Sequence, residues 1–394
     1  MQFLLNNNYK MNISIWCPFI SEVATTKTVV NTIKSIKKFT KNKNINFKII
    51  NAFGEWKTRE DIFEKLNVDI IDFNKIKLNF LLSRPNFVSS RIAYIIIFVK
   101  SLSKLHFYLK DKRPTYLFCY LITSLPLFLL FFFNYKTRVI LRISGYPKLN
   151  FFRLSLWKLI GKKIHLVTCP SRDTYSNLKK LNIFDKNKII YLPEPVLFIE
   201  EFRNKIKDKN IQEKNFEDKN SILSIGRLTR QKNFDFLITA IKDFLIKDKN
   251  LKLFIIGEGE MKEELINLIS RFKLNNQVFL LKYQNNVIKY LKSCKCFVLS
   301  SLWEDPGYVL VEAAMSNAII ISSNCPNGPR EILNNGKNGY LFDSNSINDF
   351  KDKFLNFLQS EKSLIYKKKI SAKKNIKQYS LFGHYKILSS HLEI

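Results

Sequence analysis

Apolar, β-rich runs alternate with charged amphipathic stretches along nearly all of the 394-residue chain, the pattern of parallel sheets covered by helices. In the first half the β-rich runs are NISIWCP (12–18), NFKIINAF (46–53), VDIIDF (68–73), TYLFCYL (115–121), RVILRIS (138–144), IHLVTCP (164–170) and KIIYLP (188–193). Stretches such as TKTVVNTIKSIKKF and RDTYSNLKKL separate most of them with helical spacing. A second alternation runs through SILSIG (221–226), LKLFIIG (251–257), QVFLL (277–281), CFVLSS (296–301), AIIISS (318–323) and GYLF (339–342), with helices in NFDFLITAIKDFLIK, EMKEELINLISRF and NVIKYLKS. Between the two lies EEFRNKIKDKNIQEKNFEDKN (200–220), polar, charged and poor in β-branched apolar residues, and expected to be a linker. The pattern predicts two doubly wound, Rossmann-like α/β domains facing a central cleft, over 1–199 and 221–375, with a helix at 376–394 packing back toward the first. Ligands of such sheets bind beyond the carboxyl ends of the strands.

One run breaks the alternation. Residues 116–133, YLFCYLITSLPLFLLFFF, are eighteen uncharged residues, the lower bound for a membrane span. TYLFCYL is also rich in β-formers, and Thr123, Ser124 and Pro126 read as a helix start, so a buried strand plus helix and a membrane-embedded segment both fit.

Composition changes the picture mainly through charge. The chain carries 65 Lys and Arg against 33 Asp and Glu, a formal +32. Residues 1–200 hold +21 of it and residues 201–394 hold +11. Between Phe73 and Arg172 the one acid is Asp111. A surface of one sign attracts an anionic membrane or an anionic substrate. No zinc finger, basic helix with heptads or RNA-binding signature accompanies it, so nucleic acid is not expected as a partner. The six cysteines are scattered, and Cys294 and Cys296 lack the second pair that a zinc site needs; they read as thiols in a reducing compartment. The N-terminus has no pattern of an export signal.

Candidate chemistry gathers at three strand ends. SILSIG runs into Gly226, Arg227, Leu228, Thr229, Arg230, Gln231 and Lys232. Arg227 and Lys232 thus sit where two fixed cations can clamp a diphosphate, and Gly226 would let backbone approach a ligand. The next strand ends in Gly257-Glu258-Gly259, which permits close backbone packing. The third end is WEDPGYVLVEAAMS (303–316), with seven residues between Glu304 and Glu312. Pro306 and Gly307 predict a turn opening a helix from about Gly307 to Met315. Glu312 would lie about a turn and a half inside that apolar helix, either as a structural core carboxylate or as a ligand for hydroxyls. An anion is favoured at the helix start, and a carboxylate on each side of it suits the hydroxyl-rich ends of a nucleotide sugar.

The order SIGRLTRQKNFDFLITAI, IIGEGEMKEEL, EDPGYVLVE and SSNCPNGPREILNNGKNGYLF closely resembles the C-terminal domain of retaining glycosyltransferases of family four, which have the GT-B fold. The resemblance covers about residues 220–345. It implies that Arg227 and Lys232 hold the donor diphosphate, Glu312 the ribose and Glu304 the transferred sugar. It also implies that backbone at Gly307, Tyr308 and Val309 meets phosphate and sugar, with Lys282 and Tyr283 near the base. RISGYPKLNFFRLSLWK, VTCPSRDTYSNL and IIYLPEPV resemble the acceptor domain's last elements, and CPNGPRE resembles members that build surface polysaccharides on lipid carriers. Two features depart from the family. CPFISEVATTKT has no glycine-rich turn after the first strand, and TYLFCYLITS lacks the mid-domain histidine.

The expected activity is retaining transfer of a hexose from a nucleotide-diphosphate sugar, with UDP expected, to a lipid-linked or membrane-proximal glycan. Arg227, Lys232 and the helix start would stabilise the leaving diphosphate, with Glu304 at the sugar, so no metal or other cofactor is expected. The expected location is the cytoplasm, peripheral on the inner membrane, in polysaccharide or lipopolysaccharide synthesis. A sugar-nucleotide epimerase or hydrolase, and a non-catalytic basic binder, are the alternatives.

Overall fold

The computed structural model describes residues 10–20, 23–42, 44–74, 87–143, 150–207, 216 and 220–394. They divide into two compact units, one formed by residues up to 195 together with 381–394, the other by 196–380 with the short segment 171–173. The basic residues Arg84 and Lys148, most of YPKLN and most of the expected linker lie outside the described residues.

In the first unit the order is β1 (Met11–Trp16), α1 (Ala24–Phe39), β2 (Ile45–Asn51), α2 (Glu60–Lys65), β3 (Asp69–Asp72), α3 (Phe87–Asp111), β4 (Tyr116–Cys119), α4 (Ser124–Phe132), β5 (Arg138–Arg142), α5 (Phe151–Ile160), β6 (Leu166–Cys169), α6 (Arg172–Lys180) and β7 (Ile189–Tyr191). The strands pair in parallel in the order β3-β2-β1-β4-β5-β6-β7. Central strands such as Tyr116–Cys119 are buried along their whole length, as a sheet covered on both faces requires. Right-handed crossovers place α1 and α2 over one face and α3, α4 and α5 over the other. The two cores are accordingly separate: Ile33, Phe63 and Phe47 pack in one, Ile97, Leu129 and Trp157 in the other. The run 116–133 is a buried strand followed by a helix, with Leu125, Leu127, Leu129 and Leu130 buried.

The second unit runs α7 (Ile199–Lys207), β8 (Ser221–Ile225), α8 (Phe234–Lys247), β9 (Lys252–Ile256), α9 (Lys262–Arg271), β10 (Val278–Leu281), α10 (Ile288–Ser293), β11 (Cys296–Leu299), α11 (Val309–Met315), β12 (Ile320–Ser323), α12 (Pro329–Ile332), β13 (Tyr340–Phe342), α13 (Ile347–Gln359) and α14 (Lys362–Asn375). Its parallel sheet has the order β10-β9-β8-β11-β12-β13. The stretch 200–220 is not a free connector where it is described. Phe202 of α7 is buried in this unit, and Phe216 lies 5.0 Å from Phe254 and 5.1 Å from Tyr290, ring to ring. Phe202 and Phe216 thus each bury a large apolar area in the second unit. All six cysteines are free and buried.

The last helix, α15 (Leu381–Leu392), belongs to the first unit. Leu388 and Leu392 enter its core, the Ser35 hydroxyl donates to the Leu381 carbonyl at 2.6 Å, and the Tyr116 hydroxyl donates to the Leu392 carbonyl at 3.1 Å. His384 sits wholly buried between Thr32 Oγ1, 3.3 Å from Nε2, and the Pro193 carbonyl, 2.7 Å from Nδ1.

Burial pushes the His384 imidazole down to a pKa of about 4, against an ordinary value near 6.5. Between those values the unfolded chain binds a proton that the folded one refuses, so this group's contribution to stability falls as pH drops from about 6.5 toward 4. Glu55 acts in the opposite sense: burial raises it to about 7, so its contribution falls as pH rises from about 4.5 to 7. The comparison that isolates His384 is with His384→Gln. Urea denaturation at pH 7 and pH 4.5 is expected to show the parent's advantage over the variant shrinking by about 2–3 kcal/mol at the lower pH. A pH-independent difference would refute the assignment.

Candidate active site at the switch point of the second sheet

The order β10-β9-β8-β11-β12-β13 reverses direction between β8 and β11, so the loops leaving these strands diverge to opposite sides and open a crevice at their carboxyl ends. The β8 loop holds Gly226, Arg227 and a 3-10 turn at Arg230–Lys232. Asn233 then enters α8 in the left-handed region at φ 55, a conformation that asparagine tolerates. The β11 loop holds Ser300 to Gly307.

Hydrogen bonds join the two loops across the switch point. The Leu302 amide donates to the Gln231 carbonyl at 2.9 Å, Gln231 Nε2 donates to the Trp303 carbonyl at 2.8 Å, and the Ser300 hydroxyl donates to the Lys232 carbonyl at 2.8 Å. At the centre, Lys232 Nζ donates to Glu304 Oε1 at 2.6 Å, with the Glu304 side chain 5% exposed and that of Lys232 14%. The Ser301 hydroxyl donates to the same oxygen at 2.5 Å. The buried carboxylate of this region is therefore Glu304, compensated by a charge-assisted bond and a hydroxyl.

Glycines clear space for this arrangement. A Cβ at Gly226 would lie 3.1–3.2 Å from three carbons of the Lys232 stem. Gly226 thus leaves room for the lysine stem. A Cβ at Gly257 would meet the Gly226 carbonyl oxygen at 1.9 Å, and one at Gly259 the Leu228 oxygen at 2.3 Å. The β9 loop is consequently laid directly on the β8 loop, through Leu228 N–H to the Glu258 carbonyl and Met261 N–H to the Leu228 carbonyl. Gly307 has φ 82 and its missing Cβ faces the Glu304 side chain.

Other expected site residues differ in environment. Helix α11 begins at Val309, not Gly307, because the positive φ of Gly307 is incompatible with a helical turn; Tyr308 is its N-cap. Glu312 is exposed, which corrects the expectation of a carboxylate sunk in an apolar helix. Val311, Ala313 and Ala314 are buried around it, and its own position turns outward beside Met315, in a recess also lined by Glu201, Phe202 and Lys205. Arg227 is exposed on the β8 loop, and Lys282 and Tyr283 are exposed just past β10. Ser301, Gln231 and Asn233 were not singled out from sequence. The small hydroxyls ending CFVLSS, immediately before Trp303-Glu304, are the local feature by which Ser301 could have been found.

The first unit has an equivalent crevice between β1 and β4. A cavity of about 600 Å³ is lined there by Phe19, Leu121, Ile122, Thr123, Arg153 and Trp157, among others. Ile122 stands at φ 46, rare for a β-branched residue, and its carbonyl accepts from Trp16 Nε1 at 3.1 Å.

Residues 206–378 match the family described as "Glycosyl transferases group 1". An uncharacterized glycosyltransferase of Methanocaldococcus jannaschii is 47% identical over 118 residues, 30% of this chain and 29% of its own length. A Campylobacter jejuni N-acetylgalactosamine-N,N'-diacetylbacillosaminyl-diphospho-undecaprenol 4-alpha-N-acetylgalactosaminyltransferase is 28% identical over 234 residues, 58% of this chain and 63% of its own length. The matched segments thus span less than two thirds of these relatives. The pneumococcal O-GlcNAc transferase, solved with UDP and GlcNAc, superposes with a TM-score of 0.65 at 11% identity, covering 98% of this chain and 99% of that one. The likeness shows a shared fold, GT-B, with two doubly wound domains, and residues 206–378 are a domain of that glycosyltransferase family.

Gly257→Ala is expected to cost about 3 kcal/mol or more, since backbone must move to admit its Cβ. Gly336→Ala, with φ 85 but no neighbour nearer than 4.0 Å to its Cβ, should cost only about 1–2 kcal/mol. Chemical denaturation of both variants checks the ordering, and equal losses would contradict it.

Proposed function

We propose that this chain, residues 206–378 of which are a group 1 glycosyltransferase domain, moves a hexose with retention of configuration from a nucleotide-diphosphate sugar, UDP-linked, to a lipid-linked glycan. The observation that carries the reading is the Lys232–Glu304 pair at the switch point of the second sheet, with Arg227 exposed on the same loop. Arg227 and Lys232 hold the donor diphosphate and take up the charge that grows on it as the sugar–oxygen bond breaks. Glu304, fixed by Lys232 and the Ser301 hydroxyl, accepts from hydroxyls of the transferred sugar. Glu312, exposed on the outer side of α11, accepts from the ribose. Backbone at Gly307, Tyr308 and Val309 meets the phosphates, and Lys282 and Tyr283 lie toward the base. The two cations supply the charge that a divalent metal supplies elsewhere, so transfer is expected to persist in EDTA. The donor and acceptor classes are supported by UDP in the pneumococcal transferase and by the diphospho-undecaprenol acceptor in the name of the Campylobacter relative.

UDP is expected to raise the melting temperature of the parent more than ADP or GDP does, and Arg227→Ala and Lys232→Met to abolish that rise. In assays with labelled nucleotide sugars and lipid-linked acceptors, Arg227→Ala should lower kcat/KM about 10²–10³-fold. Glu312→Ala should act mainly on KM, about 10-fold. Absence of any nucleotide-induced shift in the parent would remove the transferase reading. Release of free sugar without transfer would favour a hydrolase.

A further inference from the structure

Helix α3 is apolar on two sides, and the fold covers only one. Ala93, Ile97, Leu105 and Leu109 are buried against the first unit's sheet. Ile92, Ile95 and Val99, spaced along the opposite side, are 45%, 63% and 61% exposed. Ser90–Asp111 is long and apolar enough to cross a bilayer, yet 28% of its most apolar window is buried, far from the near-complete burial of a core helix. It is nonetheless the crossover from β3 to β4, which keeps it on the sheet and leaves the outer stripe facing away.

The stripe continues onto its neighbours. Phe98 of α3 meets Phe128 of α4 at 5.4 Å between rings, and Phe128 meets Phe132 at 4.8 Å. Phe132, at the end of α4, and Phe151 and Leu159 of α5 are all more than half exposed. The helices α3, α4 and α5 form one layer, α3 packing on α4 and α4 on α5. Between Phe87 and Lys163 the chain has fourteen basic residues and a single acid, among them Lys100 and Lys110, exposed on α3, and Lys158, exposed on α5. Arg138 and Arg142 are instead paired with Glu393 and Glu194, and Lys104 donates to the Phe73 carbonyl and to Asn74 Oδ1.

We propose that the outer face of α3, α4 and α5 docks on an anionic lipid bilayer, seating Ile95, Val99, Phe132 and Phe151 in the interface with the lysines among the headgroups. Apolar side chains flanked by charges of one sign match a bilayer surface, whereas a second copy of this face would bring like charges together. Tyr94 of α3 lines the 600 Å³ cavity as well, so the face adjoins the first unit's crevice. If the transferase reading holds, a lipid-borne acceptor is met on that side.

The test is co-sedimentation of the full-length protein with vesicles of phosphatidylcholine alone or with about a third phosphatidylglycerol. The parent is expected to bind the anionic vesicles at least 10-fold more tightly than the neutral ones. Ile95→Glu combined with Val99→Glu, and separately Phe132→Glu, should each weaken binding at least 10-fold. Tyr366→Glu, at an exposed aromatic of α14, should leave it unchanged. Wild-type vesicle binding by the face variants overturns the proposal. So does a parent that dimerises through this face, seen in sedimentation as a dimer the variants convert to monomer while vesicle binding is absent. The UDP-induced melting shift should be the same in parent and face variants, which separates loss of docking from failure of the donor site.

Discussion

The Lys232–Glu304 ion pair organises the second unit's site. Two opposite charges this far from water are stable only together, and removing either leaves the other uncompensated at a cost of several kcal/mol. That penalty fixes the β8 and β11 loops relative to one another across the switch point. The surrounding sequence serves the pair: Gly226 lets the lysine stem cross the strand end, Gly307 leaves room for the glutamate chain, and Ser301 binds the same carboxylate oxygen as the lysine. Gly257 and Gly259 then allow the β9 loop to lie on the β8 loop without displacing it.

The pair also reassigns the two acids of EDPGYVLVE. Glu312 looked like the buried one, because apolar residues surround it in the chain. In the folded unit a seven-residue helix turns Val311, Ala313 and Ala314 inward and Glu312 outward, while Glu304, in a polar-looking turn, is drawn inside by lysine and serine. Neighbours in sequence decided neither environment.

The two units repeat one solution. Each sheet follows the same strand order about its switch point, and each places loops with unusual backbone there: Ile122 at φ 46 in the first, Asn233 and Gly307 in the second. They differ in lining. The first crevice is largely apolar with Arg153 at its side, whereas the second is built on charge.

The thirteen strands among the described residues were legible as β-rich runs, the central ones because a strand buried on both faces must be apolar along its length. The switch-point loops were legible too, since glycine and paired cations at strand ends are local features. The anchoring of 200–207 by Phe202, the outward turn of Glu312, the lysine stem over Gly226 and the bare outer stripe of α3 were not. Periodicity states that a segment has an apolar side, and it is written in the chain itself. Whether that side is covered, and by what, depends on elements distant in the chain, so burial and charge pairing were settled only when the chain closed on itself.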